Sequence, residues 1–174
     1  APIPFRAGGR IHLAYEIMIH HHSRYTWALE QVEVIADHTP KPVLTWTGKE
    51  IEANSRIIHT ALRPLSIKKL KPKTIAFLFF WLSFENGEPI PQTLHHQLRL
   101  VSKTAGQQVE HVSVQVQARS PMLIDPPLRG KGWVAANTAS NDTGHRRTPL
   151  PFDGIFYFPQ RFAVDWVQFG PDGM

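Results

Sequence analysis

Short segments in which apolar and polar residues alternate recur along the chain, and residues that favour turns separate them. Residues 109–117 alternate most regularly, which predicts a strand with one buried face and one solvated face. Residues 11–19 and 27–36 predict two earlier strands, joined either as a hairpin or as a crossover between two sheets. The side chains expected to point inward from the second of these strands are Leu29, Val32 and Val34.

Residues 74–84 form the longest uncharged apolar stretch. The stretch lacks polar alternation, so it predicts a strand that is buried on both faces. Its eleven residues are too few to span a membrane, for which a helix needs about 20 apolar residues. The Asn86-Gly87 pair that follows predicts a tight turn, and residues 48–54 favour a single helical turn.

Frequent proline and glycine residues, which interrupt regular secondary structure, determine the predicted fold class. The chain contains 15 prolines and 11 glycines, and no segment has the pattern of a long amphipathic helix. We therefore expect an all-β, Ig-like β-sandwich with a long Pro/Gly/Asn-rich C-terminal arm and two extra strands. The expected organisation is a sandwich over residues 1–120, an extended loop or linker over 121–153, and terminal strands over 154–174, at 154–157 and 162–169.

Composition limits the chemistry that the chain can perform. The absence of cysteine excludes disulfides, Cys-ligated zinc and a thiol nucleophile. The net charge of +5 favours anionic partners, but the basic residues are scattered and no aromatic residues are interleaved with them on one face. We therefore predict no nucleic-acid binding. The start Ala1-Pro2-Ile3 is typical of a mature end left by a signal peptidase, which predicts a periplasmic or extracellular protein.

Two histidine clusters were considered as metal ligands. In the run 20–22, alternation along a strand lets only His20 and His22 share a face, and no acidic residue is near them in sequence. The same geometry separates His95 from His96. The favoured interpretation is a strand end entering a turn for the first cluster, and ordinary surface or partly buried histidine for the second. Neither a phosphate-binding loop nor a Gly-x-Ser-x-Gly nucleophile motif is present.

The most specific pattern lies after residue 125. It comprises Pro-Pro-Leu-Arg-Gly-Lys-Gly-Trp-Val-Ala-Ala-Asn (126–137), Ser-Asn-Asp-Thr-Gly-His-Arg-Arg (140–147) and Gln-Arg-Phe-Ala-Val-Asp-Trp (160–166). These residues resemble the junction segment of a bacterial group of M23-type (LytM-like) zinc metallopeptidase homologues. In that group a β-sandwich-like N-terminal region leads through the Gly-His-Arg-Arg stretch into the start of the peptidase fold. Weaker similarities at 15–16, 33–34 and 94–98 extend the resemblance over most of the chain.

The resemblance implies a zinc endopeptidase that cuts peptide cross-links of the cell wall. Its ligands in the family are a His, an Asp four residues later, and a His from a later His-x-His. Asp165 matches that Asp, but Arg161 stands where the His would be, and arginine stays protonated and cannot bind zinc. His145 is the other candidate ligand, either as a replacement or as a residue that caps a loop beside Arg146 and Arg147. The sequence contains no later His-x-His.

Two hypotheses follow for the function. The leading one is a non-catalytic, exported binding or structural module without a cofactor, which docks on another envelope protein or on a cell-wall polymer. The alternative is part of a zinc-dependent cell-wall endopeptidase whose remaining catalytic residues are missing from this chain. The candidate metal ligands are His145 and Asp165, and the candidate binding residues are Arg146, Arg147, Arg161, Trp133 and Trp166.

Overall fold

The computed structural model of the protein describes residues 1–58, 66–125 and 127–170. The chain forms two compact units, Ala1–Pro121 and Met122–Met174. Among the described residues, helix is confined to one short α-helix and one 3-10 turn, so the predicted all-β class is confirmed. No described helix has the length and apolarity needed to cross a membrane.

The first unit consists of two four-stranded antiparallel sheets. In chain order its strands are β1 (Phe5–Ala7), β2 (Arg10–His20), β3 (Ala28–Ala36), β4 (Pro42–Thr47), β5 (Ser55–Ile58), β6 (Ile75–Phe84), β7 (Thr93–Ser102) and β8 (Gly106–Gln115). One sheet has the order β1-β2-β6-β5 and the other β4-β3-β7-β8. Helix α1 (Gly48–Ala53) lies between β4 and β5, as the sequence predicts, and the 3-10 turn covers Ile67–Lys69.

The core lies between the two sheets and draws its side chains from both. Leu29, Val32 and Val34 of β3 are buried, as predicted, and a bulge between Leu29 and Gln31 keeps all three on the inner face. Strands β2 and β3 belong to different sheets, so the chain crosses between sheets rather than forming a hairpin. Strand β6 is buried along most of both faces, which confirms the prediction made from its lack of polar residues.

Strand β8 differs from its prediction in one respect. The strand exists, but nearly all its residues are exposed and only Val114 is half-buried. The opposite sheet explains this exposure. Gln117 N donates to Pro2 O, so the ends of β8 and of β1 lie at the same edge of the sandwich. Because β1 has three residues and β8 has ten, no strand among the described residues lies opposite most of the inner face of β8.

The second unit contains two small antiparallel pairs. Strand β9 (Trp133–Asn137) pairs with β12 (Asp165–Gln168), and β10 (Leu150–Phe152) pairs with β11 (Ile155–Tyr157). Strands β11 and β12 lie within the two terminal strands predicted from sequence. Strands β9 and β10 lie within residues 121–153, where the sequence favours an extended loop. They form because each finds its partner strand later in the chain, which local composition does not reveal.

Candidate metal site and its surroundings

The pairing of β9 with β12 places Asp165 beside Asn137 at the end of the ladder. A bulge between Asp165 and Trp166 interrupts the register there. Bulges of this kind change the direction in which a side chain points, and they are common beside functional sites. At the other end of the pair, Phe169 N donates to Gly132 O at 2.9 Å and continues the pairing past β12.

A tight turn holds His145 in place. Arg147 N donates to Thr143 O and to Gly144 O, at 3.2 Å in both cases, and Arg146 N donates to Thr143 Oγ1 at 3.3 Å. The side chain of Arg147 reinforces the turn through a 2.6 Å hydrogen bond from Nε to Asn141 O. These bonds fix the backbone on both sides of His145, so its ring direction is set by the turn.

The structure brings the two candidate metal ligands together. His145 Nε2 lies 3.5 Å from Asp165 Oδ2. The side chain of Asp165 is 53% exposed and that of His145 is 21% exposed, so the pair can be reached from solvent. They are twenty residues apart in sequence, and the contact arises because the turn carrying His145 reaches the end of the β9–β12 pair.

The spacing of the two atoms fits tetrahedral zinc. Zinc binds imidazole nitrogen and carboxylate oxygen at about 2.0–2.2 Å, so two ligand atoms at a tetrahedral angle lie about 3.4 Å apart. The 3.5 Å between His145 Nε2 and Asp165 Oδ2 matches this ligand-to-ligand distance. It also matches a simple ion pair. A zinc site needs at least one further protein ligand, and the described residues contain no group of three metal-binding side chains.

Asn137 contacts both candidate ligands, and the sequence did not suggest it. Its Nδ2 donates to Asp165 Oδ2 at 3.3 Å and lies 3.5 Å from His145 Nδ1. When Nδ1 accepts from the amide, the ring carries its proton on Nε2 and donates towards Asp165. Zinc binding through Nε2 requires the proton on Nδ1 instead, and a half-turn of the amide offers Oδ1 to that N–H. Asn137 is thus placed beside Nδ1, the nitrogen that a metal at Nε2 would leave available for a hydrogen bond.

The three candidate arginines lie near one another. Arg146 is fully buried, and its burial, together with the positive charges of Arg161 and Arg147, lowers its pKa to about 9. Burial also lowers the pKa of Arg161 and of Arg147, although Asp142 partly opposes the effect on Arg147. Three cations, with the carboxylate of Asp142 beside Arg147, thus lie near one another in this part of the second unit. The burial of Arg146 indicates that its role is structural rather than direct contact with a ligand.

The two candidate tryptophans belong to the strand pair that carries Asp165. Trp166 lies opposite Ala135, and Trp133 lies opposite Gln168. Trp133 and Ala135 are two residues apart on β9, so the pairing places both indoles on one face of the pair. Trp166 is 41% exposed, while Trp133 is half-buried and donates from Nε1 to Arg129 O. Trp166 is therefore the better placed of the two to contact a ligand.

The histidine clusters of the first unit behave differently from each other. The rings of His20 and His22 lie 3.9 Å apart, on one face as expected. His95 is exposed, whereas His96 is buried in the core, where its Nε2 lies 2.8 Å from the Tyr15 hydroxyl and its Nδ1 lies 3.1 Å from Val112 O. The first unit therefore uses His96 as a core residue.

Comparison with known proteins gave no match to any family model, to the curated proteins or to the solved structures.

Proposed function

We propose that the second unit carries part of a zinc site, and that the chain is part of a zinc-dependent endopeptidase of the cell wall. The observation that supports this proposal is the 3.5 Å separation of His145 Nε2 and Asp165 Oδ2. Asp165 matches the family's aspartate, and His145 is the replacement ligand considered from the sequence. Of the two sequence-based hypotheses, this geometry favours the alternative over the non-catalytic module.

The pair would supply two ligands, and the third has to come from outside the described residues. Bound zinc would supply a Lewis acid and a water molecule of lowered pKa for attack on a peptide bond. The chain's own residues would orient and tune that site. Asn137 would hold the imidazole in the metal-binding tautomer. Trp166, which follows Asp165 and is 41% exposed, would contact the substrate. The positive charges of Arg147 and Arg161 would favour substrates that carry carboxylates, as cross-linking peptides do.

Zinc titration of the purified chain tests the proposal. We expect one Zn²⁺ per chain, with the ring signals of His145 shifting in NMR spectra as zinc is added. His145→Ala and Asp165→Asn should each weaken zinc binding at least tenfold, because a single remaining ligand cannot hold the ion.

Matched controls separate this site from adventitious binding. His111→Ala removes an exposed imidazole from β8, and Asp153→Asn removes a carboxylate from the turn between β10 and β11. Neither control should change the affinity for zinc. Equal zinc affinity in the wild type, His145→Ala and Asp165→Asn would show that the pair is an ion pair and not a metal site.

A second candidate function is the docking module, and the exposed inner face of β8 favours it. An exported protein that leaves part of its sandwich open has a surface suited to a partner. The two functions are compatible, because the zinc pair belongs to the second unit and the open face to the first.

A further inference from the structure

One edge of the first sheet is covered over only a small part of its length. Strand β1 pairs with β2 at residues 10–12, and the described residues supply no further strand along that edge, although β2 continues to His20. Gly8 and Gly9 both have positive φ, so β1 and β2 join through a two-residue type I′ turn. Such a turn makes Ala7 and Arg10 a hydrogen-bonded pair, and the pairing therefore begins at the turn.

This register determines which backbone groups face the open edge. Because Arg10 and His12 point their N–H and C=O groups at β1, the same direction recurs every second residue, at Met18 and His20. Hydrogen bonds on the opposite side of β2 agree with this assignment. His21 N donates to Thr74 O and His21 O accepts from Lys73 N, so the backbone groups of the odd-numbered residues face β6. Met18 is 51% exposed.

A cleft lies inside this open edge, between β2 and β8. Its volume is about 390 Å³, which lies within the range of ligand-binding cavities. The apolar residues that line it are Ile17, Met18, Ile19, Trp27, Leu98, Leu100 and Val112, and the polar ones are His20, His21, His22, Ser23, Gln108 and Glu110. The cleft is therefore bordered by a row of backbone donors and acceptors, and just over half of its lining residues are apolar, a combination that suits an added β-strand.

The end of the cleft near His20 is positively charged. Trp27 lines both the cleft and a second cavity of about 550 Å³, so the two cavities are adjacent. Arg24, Lys68, Lys69 and Lys103 line the second cavity, and no acidic residue is among its described lining residues. Lys68 forms an ion pair with Glu52 at 3.2 Å. The cavity thus complements a negatively charged group.

We propose that this open end of the sandwich is a strand-acceptor site for an extended segment of a partner protein. The segment would pair with β2 beyond His12 and insert alternate apolar side chains into the cleft. Acidic residues at its end beside His20 would meet the basic cavity. The site specifies the partner surface for the docking role and does not depend on the zinc pair.

Selection from a library of random decapeptides tests the proposal. Peptides enriched on the full chain should alternate apolar residues and carry Asp or Glu at one end. Proline at Met18 removes the N–H on the open edge without breaking the ladder to β6, whereas alanine keeps it. Met18→Pro should therefore bind the enriched peptides at least tenfold more weakly than the matched control Met18→Ala, while both variants retain the zinc affinity of the wild type.

A change in the peptide tests the same bonds without altering the protein. N-methylation of alternate backbone nitrogens in an enriched peptide should weaken binding at least tenfold in one register and little in the other, because only one set faces β2. The proposal is wrong if no alternating peptide is enriched, or if enriched peptides bind Met18→Pro and Met18→Ala equally. Tight binding of heparin with no enriched peptide would instead identify a polyanion site.

Discussion

Acidification should destabilise the sandwich through His96. The ring is 1% exposed, and its burial lowers its pKa to about 4 from an ordinary value of 6.5. Its Nδ1 can only donate to Val112 O, so Nε2 accepts from the hydroxyl of Tyr15 and the neutral ring has both nitrogens satisfied. Protonation would place a second donor against the hydroxyl and a charge among aromatic rings, including Phe80 with its centroid 5.0 Å away.

The sign and size of the effect follow from the two pKa values. Between pH 6.5 and about 4 the unfolded chain binds a proton at this residue and the folded chain does not, so stability falls as the pH falls. A difference of about 2.5 pKa units corresponds to about 3 kcal/mol, at 1.36 kcal/mol per unit. This contribution is fully present above pH 6.5 and is lost progressively down to about pH 4.

Urea unfolding at a series of pH values measures this contribution when wild type is compared with His96→Gln. The methyl NMR signals of Val32 and Leu94, which are buried in the core, report on unfolding of the first unit. The variant should be less stable at pH 7. The difference in free energy of unfolding between wild type and variant should shrink by about 3 kcal/mol between pH 7 and pH 4, because only the wild type has the lowered pKa. His95→Gln changes the exposed neighbour, and its gap to the wild type should stay constant. A constant gap for His96→Gln would refute the reasoning.

Two further predictions concern single atoms in the two units. Tyr15→Phe removes the O–H that donates to His96 Nε2 and leaves a buried acceptor unsatisfied. Urea unfolding should therefore show a loss of about 1–3 kcal/mol in the free energy of unfolding. The control is Tyr25→Phe, because the ring of Tyr25 is only partly buried. Gly132→Ala should unfold the β9–β12 pair, because φ at this position is +83° and the new Cβ would lie 2.5 Å from Phe169 O. The control is Gly130→Ala, which also places alanine at a positive φ but has no atom within 4 Å of the new Cβ. NMR signals of β12 should change less in the control than in Gly132→Ala.

The elements that could be predicted from the sequence are those specified by local pattern. The unbroken apolar run of β6 and the single turn of α1 are determined by their own residues, and the structure has both. The inner face of β8 has an equally regular pattern, but its burial depends on the length of a strand in the other sheet. Nothing within residues 109–117 encodes how far β1 extends, so the alternation predicted the strand and not its exposure.

In the candidate site, too, local sequence identifies single residues, while non-local pairing decides which residues meet. The resemblance identified His145 and Asp165 individually, and the structure adds that they meet. Asn137 was not found because its position depends on the register of β9 against β12, two strands almost thirty residues apart, with a bulge between them that shifts the pairing by one residue. Register of this kind is set by non-local contacts, which a single sequence does not display.

The polar residue in the middle of the exposed face of β8 has a consequence for solubility. Glu110 lies opposite Leu98 on the inner side of the strand, in the row that also holds Val112, Val114 and Val116. If Glu110 were valine, that row would form a continuous valine ridge on an edge strand, the kind of segment that templates fibril growth. We therefore expect Glu110→Val to self-associate at concentrations where the wild type stays dispersed.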